Sequence, residues 1–99
     1  MDLQLGGKVA LVTGGSLGIG KGIARVLACE GAEVAICARR KDVLEATADE
    51  IRHECGRPVL AIPADLTRRE DAENFVRGAA RHFGRIDILV NNAGSAPGG

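Results

Sequence analysis

Apolar residues along the chain fall into short, nearly continuous runs, separated by longer stretches where they recur at helical spacing. The runs occupy residues 8–13 (KVALVT), 33–38 (EVAICA), 58–62 (PVLAI) and 86–90 (IDILV). A strand with one wet face alternates apolar and polar positions. These runs mostly do not alternate, so they predict parallel strands buried on both faces. Three helical patterns lie between them. Ile19, Ile23, Val26 and Leu27 share one face of the first; Leu44, Ala48, Ile51 and Cys55 share one face of the second. Phe75, Val76, Ala79, Ala80 and Phe83 form the third face. Each pattern stops at a glycine, Gly31, Gly56 or Gly84, a residue that enters the left-handed region without a Cβ penalty. Asp42 stands three before Glu45 and Thr67 three before Glu70, both at capping-box spacing. Each such cap is worth ~1 kcal/mol.

The order of elements is βαβαβαβ. Crossovers between neighbouring parallel strands are right-handed, so the expected architecture is α/β, a doubly wound parallel sheet in strand order 3-2-1-4. The fourth strand then lies at an edge although Ile88, Leu89 and Val90 are as apolar as a central strand, a pairing liability. The sheet is therefore expected to be truncated. Residues 1–99 read as the amino-terminal part of a single domain, with 95–99 as loop.

Composition narrows the field. The chain has 99 residues, 45% hydrophobic and 26% charged, which fits a folded globular protein rather than a disordered one. Thirteen Lys and Arg balance thirteen Asp and Glu, giving no electrostatic case for nucleic acid or an anionic membrane. No apolar run reaches the length of a membrane span or a signal-peptide core, so a cytoplasmic location is the expectation. Cys29, Cys37 and Cys55 match neither a disulfide framework nor a metal-ligand spacing, and read as small buried or half-buried thiols in a reducing compartment. His53 and His82 read as surface residues. The sequence contains no tyrosine, which closes any mechanism that uses a phenol of this chain as proton donor.

The first strand runs into Thr13-Gly14-Gly15-Ser16-Leu17-Gly18-Ile19-Gly20. At a helix start the N–H groups lack intrahelical partners, and the dipole is positive. Glycines there let a pyrophosphate approach the backbone. Ser16 can add a hydroxyl donor, Gly18 and Gly20 leave the first turn open to a ligand, and Gly22 would let the helix pack close to the sheet. The spacing differs from Gly-x-Gly-x-x-Gly, with three residues between the first two motif glycines.

Thr13-Gly14-x-x-x-Gly18-Ile19-Gly20, followed at the last strand by Asn91-Asn92-Ala93-Gly94, resembles the short-chain dehydrogenase/reductase family over the whole chain. The resemblance implies a Rossmann-like fold and a dinucleotide cofactor bound along Gly14, Ser16, Leu17, Gly18, Ile19 and Gly20. It also implies that Asp65 accepts a hydrogen bond from the adenine amino group, with Leu66 contributing its backbone. Asn91, Asn92 and Ala93 would contact the adenosine ribose and steady the sheet, while Gly94 leaves room for the cofactor. A homo-oligomer is a further expectation of the resemblance.

The end of the second strand bears on which cofactor. An acidic residue there commonly binds the ribose 2′-hydroxyl of NAD. Here the strand ends in Ala38-Arg39-Arg40-Lys41, with no carboxylate and three cations. Arg39 and Arg40 offer a 2′-phosphate charge-assisted hydrogen bonds, so NADP is expected over NAD. One departure stands against this: Leu17 occupies a position where many NADP-dependent relatives carry a basic residue.

Family members transfer hydride between the cofactor and a carbonyl or alcohol, with a Tyr-x-x-x-Lys motif and a serine that lie beyond the Asn-Asn-Ala-Gly loop. None of those catalytic residues can be placed on this chain, and no metal site is expected. Two readings follow. One is the NADP(H)-binding portion of such an oxidoreductase, whose small carbonyl or alcohol substrate belongs to the complete protein. The alternative is a non-catalytic nucleotide-binding or interaction module that pairs through its open sheet edge.

Overall fold

A computed structural model of the chain describes residues 5–14 and 18–92. Its elements alternate: β1 (Val9–Thr13), α1 (Gly18–Cys29), β2 (Glu33–Ala38), α2 (Lys41–Cys55), β3 (Val59–Pro63), α3 (Arg69–Phe83) and β4 (Ile88–Asn91). All pairings are parallel and the sheet runs β3-β2-β1-β4, the order expected from right-handed crossovers. This is the Rossmann-like, doubly wound arrangement.

Side chains alternate across the sheet, so each strand serves two cores. Ala10 and Val12 of β1 with Val34 and Ile36 of β2 meet Ala24, Ala28, Leu44, Ala48 and Ile51 of α1 and α2. Val9 and Leu11 with Ala35 and Cys37 meet Phe75 and Ala79 of α3 on the opposite face. Burial on both sides is why the strand sequences read as continuous apolar runs.

Several expectations change at the helices. The face that α1 buries is Gly20, Ala24 and Ala28, with Ile23 and Leu27 packed at its margin. Ile19 and Val26 instead stand exposed. Small residues bring the helix axis close to the sheet, and that approach outweighs the larger transfer energy of the isoleucine and valine. In α3 Phe75 and Ala79 are buried, Ala80 and Phe83 partly so, and Val76 faces out. A Cβ added at Gly22 would meet open space, so this glycine is not what lets α1 pack.

Neither expected capping box forms. The N-cap residues are Arg40 and Arg68, in extended conformation and without side-chain caps. Thr67 turns its hydroxyl to Asp65 Oδ1 at 2.6 Å, a short-range bond that competes with capping. The stops hold as read. Gly31, Gly56 and Gly84 all have positive φ, and the Gly56 and Gly84 N–H groups close the last turns of α2 and α3 on the Arg52 and Ala80 carbonyls.

The cysteines require a correction as well. Cys29 and Cys55 form a disulfide across a sequence separation of 26, with Cα atoms 4.6 Å apart. Spacing along the chain hid this, because α1 and α2 lie side by side on one face and their C-terminal ends converge. Cys37 is a buried thiol, as expected. His53 and His82 are exposed in the last turns of α2 and α3. Among the described residues no helix is long and apolar enough to cross a membrane.

Candidate functional site

The parallel sheet carries all four strand ends to one edge. Register sets Thr13 beside Cys37 of β2 and Asn91 of β4, and Ala38 beside Pro63 of β3. The strand order reverses between β1 and β4, and in open α/β sheets ligands bind outside the carboxyl ends at such a reversal. The described candidate residues Gly14, Gly18, Ile19, Gly20, Arg39, Arg40, Asp65, Leu66, Asn91 and Asn92 all lie on this edge or on the segments that leave it. Ser16, Leu17, Ala93 and Gly94 fall outside the described residues.

The turn after β1 is held by its own backbone. Gly14 has φ +68° and donates its N–H to the Cys37 carbonyl at 2.9 Å. Gly18, at φ +62°, opens α1 in the same left-handed region. Gly20 is the tightest position. A Cβ there would lie 2.3 Å from the Gly14 carbonyl oxygen and 2.8 Å from the Asn92 side-chain nitrogen. The requirement for glycine at 20 is thus set first by the protein, where a ligand had been the expected reason.

Thr13, which was not among the predicted site residues, joins the two segments. Its hydroxyl lies 3.2 Å from both the Val90 carbonyl and Asn91 Oδ1, and accepts the Asn92 N–H at 2.8 Å. The side chain is almost fully buried. One hydroxyl therefore ties the end of β4 to the glycine turn. Its place as the first residue of the motif was the signal available in the sequence.

Past β2 the chain presents Arg39 and Arg40, both exposed. Arg40 bonds Asp42 Oδ2 at 3.0 Å, an exposed pair that a stronger anionic partner can displace. The Val43 amide and the Arg40 guanidinium hold the Asp42 carboxyl below its ordinary range. Past β3, Asp65 is fixed from several sides. Its Oδ1 accepts the Thr67 hydroxyl and the Thr67 amide, while its own N–H donates to Asp71 Oδ2 at 2.8 Å. Those Thr67 bonds, joined by the charges of Arg39 and Arg68, hold the Asp65 carboxyl below the ordinary carboxylate range. Asp71 is a second positioning residue that sequence reasoning missed. An acidic residue in the first turn of α3 reads as dipole compensation until the loop is seen to fold onto it.

Burial pushes the Cys37 thiol up to about 11, against a backbone hydrogen bond from Gly14 that lowers it. Cys37 serves the edge through its carbonyl, which accepts the Gly14 N–H.

The assembled edge matches a known family. The model of the short chain dehydrogenases matches residues 8–99. The chain belongs to the short-chain dehydrogenase family. Similar proteins include an 11-beta-hydroxysteroid dehydrogenase-like protein of Arabidopsis thaliana, 46% identical over 89% of this chain and 29% of its own length. Hydroxynaphthalene reductase of Aspergillus fumigatus is 48% identical over 93% of this chain and 34% of its own. Among solved structures, L-sorbose reductase from Gluconobacter frateurii, complexed with NADPH and L-sorbose, superposes with a TM-score of 0.91 at 40% identity. That match covers 98% of this chain and 37% of the reductase. This short-chain dehydrogenase sequence thus spans about a third of the length of the relatives it matches.

Proposed function

We propose that this chain is the NADP(H)-binding portion of a short-chain dehydrogenase/reductase oxidoreductase, whose complete form acts on a small carbonyl or alcohol. The observation that carries the reading is the end of β2. The three residues directly after Ala38 are Arg39, Arg40 and Lys41, with no carboxylate among them, Arg39 is exposed, and Asp65 stands within the field of the Arg39 charge. A ribose 2′-phosphate at this edge meets guanidinium groups, whereas a bare 2′-hydroxyl meets no acceptor from β2 suited to it.

The residues present suit such a cofactor. The positive end of α1 and the left-handed Gly14 and Gly18 present backbone to a pyrophosphate, with Thr13 holding the β4 end beside them. Asp65, kept ionised by Thr67, Arg39 and Arg68, offers a fixed acceptor for an adenine amino group. Leu66 lies next to it, and Asn91 and Asn92 flank the ribose position. Ser16, Leu17, Ala93 and Gly94 complete the proposed contact set. A bound nicotinamide supplies or accepts hydride; the residues here bind and orient its adenosine side. The similarity to a reductase crystallised with NADPH supports the same cofactor.

A hydrogen bond to a charged group contributes ~1.5–3 kcal/mol, about 10- to 150-fold in affinity. Calorimetric titration of the chain with NADPH and NADH tests this. The expected result is tighter NADPH binding that Arg39→Ala lowers by about that factor while leaving NADH little changed. Equal affinity for the two cofactors in the unsubstituted chain overturns the preference for NADP.

A further inference from the structure

Outside the candidate site, one seam of the molecule carries reactive groups. Lys21, Arg25 and Cys29 follow one another at four-residue intervals on α1 and face Glu50, Glu54 and Cys55 on α2. Lys21 pairs with Glu50, Arg25 Nη1 lies 3.4 Å from Glu54 Oε2, and the Cys29–Cys55 disulfide closes the end of the row. Cys29 is exposed and Cys55 half-buried, with its sulfur 3.5 Å from the Arg25 carbonyl. Both residues thus keep solvent-accessible surface, unlike the buried Cys37.

We propose that Cys29 and Cys55 are a redox modification site, a reversible covalent tie between α1 and α2 set by exchange with a low-molecular-weight disulfide such as oxidised glutathione. The exposed Cys29 thiolate attacks one sulfur of the small disulfide, forming a mixed disulfide and releasing one small thiol. The Cys55 thiolate then attacks Cys29 Sγ, forming the protein disulfide and releasing the second small thiol. Two protein thiols are oxidised and one small disulfide is reduced; each protein thiol gives up its proton on becoming thiolate.

The placement says which way the pair leans. Both cysteines are the last residues of their helices, where the dipole is negative and disfavours a thiolate. Arg25 on α1 and Arg52 and His53 in the last turn of α2 stand near the pair, but the helix dipoles give its reduced form no support. A dithiol without that support leans toward the tie rather than toward oxidising other proteins. Both helices begin at the strand ends and finish at the opposite side of the sheet. Oxidation therefore braces the scaffold from behind and leaves the candidate cofactor edge open. It closes a loop across 26 positions, which removes freedom mainly from the unfolded chain.

The test uses the full chain, equilibrated in glutathione mixtures from reducing to oxidising, then quenched, alkylated and mapped by peptide mass spectrometry. The expected product is a Cys29–Cys55 linked peptide that appears and disappears with the mixture, while Cys37 is labelled only after unfolding. Oxidised chain should melt about 10 °C or more above reduced chain. Cys29→Ser and Cys55→Ser should each remove that difference. The unsubstituted chain carries the comparison by itself if a variant does not fold. Persistence of both thiols in the oxidising mixture overturns the proposal, as do linkage through Cys37 or between chains, or identical melting of the two forms. No readout involves a nucleotide, so the result is independent of the proposed cofactor.

Discussion

Thr13 shows how much one hydroxyl can organise. It accepts the Asn92 N–H and reaches the Val90 carbonyl and Asn91 Oδ1, so the end of β4 is joined to the glycine turn through a single side chain. Thr13→Val keeps the branched shape and deletes the hydroxyl, leaving the Asn92 amide without that acceptor in a nearly closed setting. The expected loss is about 1–3 kcal/mol of unfolding free energy, measured by urea titration. Backbone amide exchange at Asn92 should accelerate with it. The glycines beside Thr13 were legible in the sequence, because few residues tolerate positive φ. The reason for Gly20 was not, since the carbonyl and amide it avoids come from Gly14 and Asn92, one of them far along the chain.

Among the elements, β1 and β4 meet at two differently built ends. At the site end Thr13 joins them; at the opposite end Asp87 does. Its Oδ2 accepts the Val9 N–H at 2.8 Å, its Oδ1 accepts Arg85 at 2.6 Å, and its own N–H donates to the Val9 carbonyl. The Arg85 guanidinium first, and then the Val9 amide, hold the Asp87 carboxyl below its ordinary value. A carboxyl with a lowered folded-state pKa contributes stability that is complete above the unfolded value and is lost as pH falls through the folded one. Unfolding midpoints should therefore drop below about pH 4, and Asp87→Asn should make that drop shallower. The helices teach a related lesson. Their glycine stops could be read directly, whereas their starts could not. Thr67 had a nearer partner in Asp65, and local side-chain bonds of that kind are decided by loop geometry.

On the scale of the whole molecule the two faces of the sheet are covered unequally. One face lies under α1 and α2 together, braced by the Cys29–Cys55 bond, whereas the other has α3 alone among the described residues. Phe75 is the large side chain of that single cover and is 1% exposed. Phe75→Ala should cost ~3–5 kcal/mol, a large share of the roughly 5–15 kcal/mol that stabilises a typical domain. A chemical denaturation curve should show the loss, and Val76→Ala on the exposed side of the same helix should leave the curve nearly unmoved. At the free margin Leu89 is 56% exposed although its neighbour in register, Leu11, is fully buried, because α3 packs over β1 and β2 and leaves β4 uncovered. By itself the sequence determined the parallel sheet, its strand order, the glycine stops and the convergence of Gly14, Arg39, Asp65 and Asn91 on one edge. Period, backbone conformation and crossover handedness are properties of local segments, and they dictate that much. Only the tertiary structure decided which face of α1 is buried, that Cys29 meets Cys55, and that Thr13 and Asp71 position the site. Each of these depends on how closely two elements distant in sequence approach one another, a distance that packing sets.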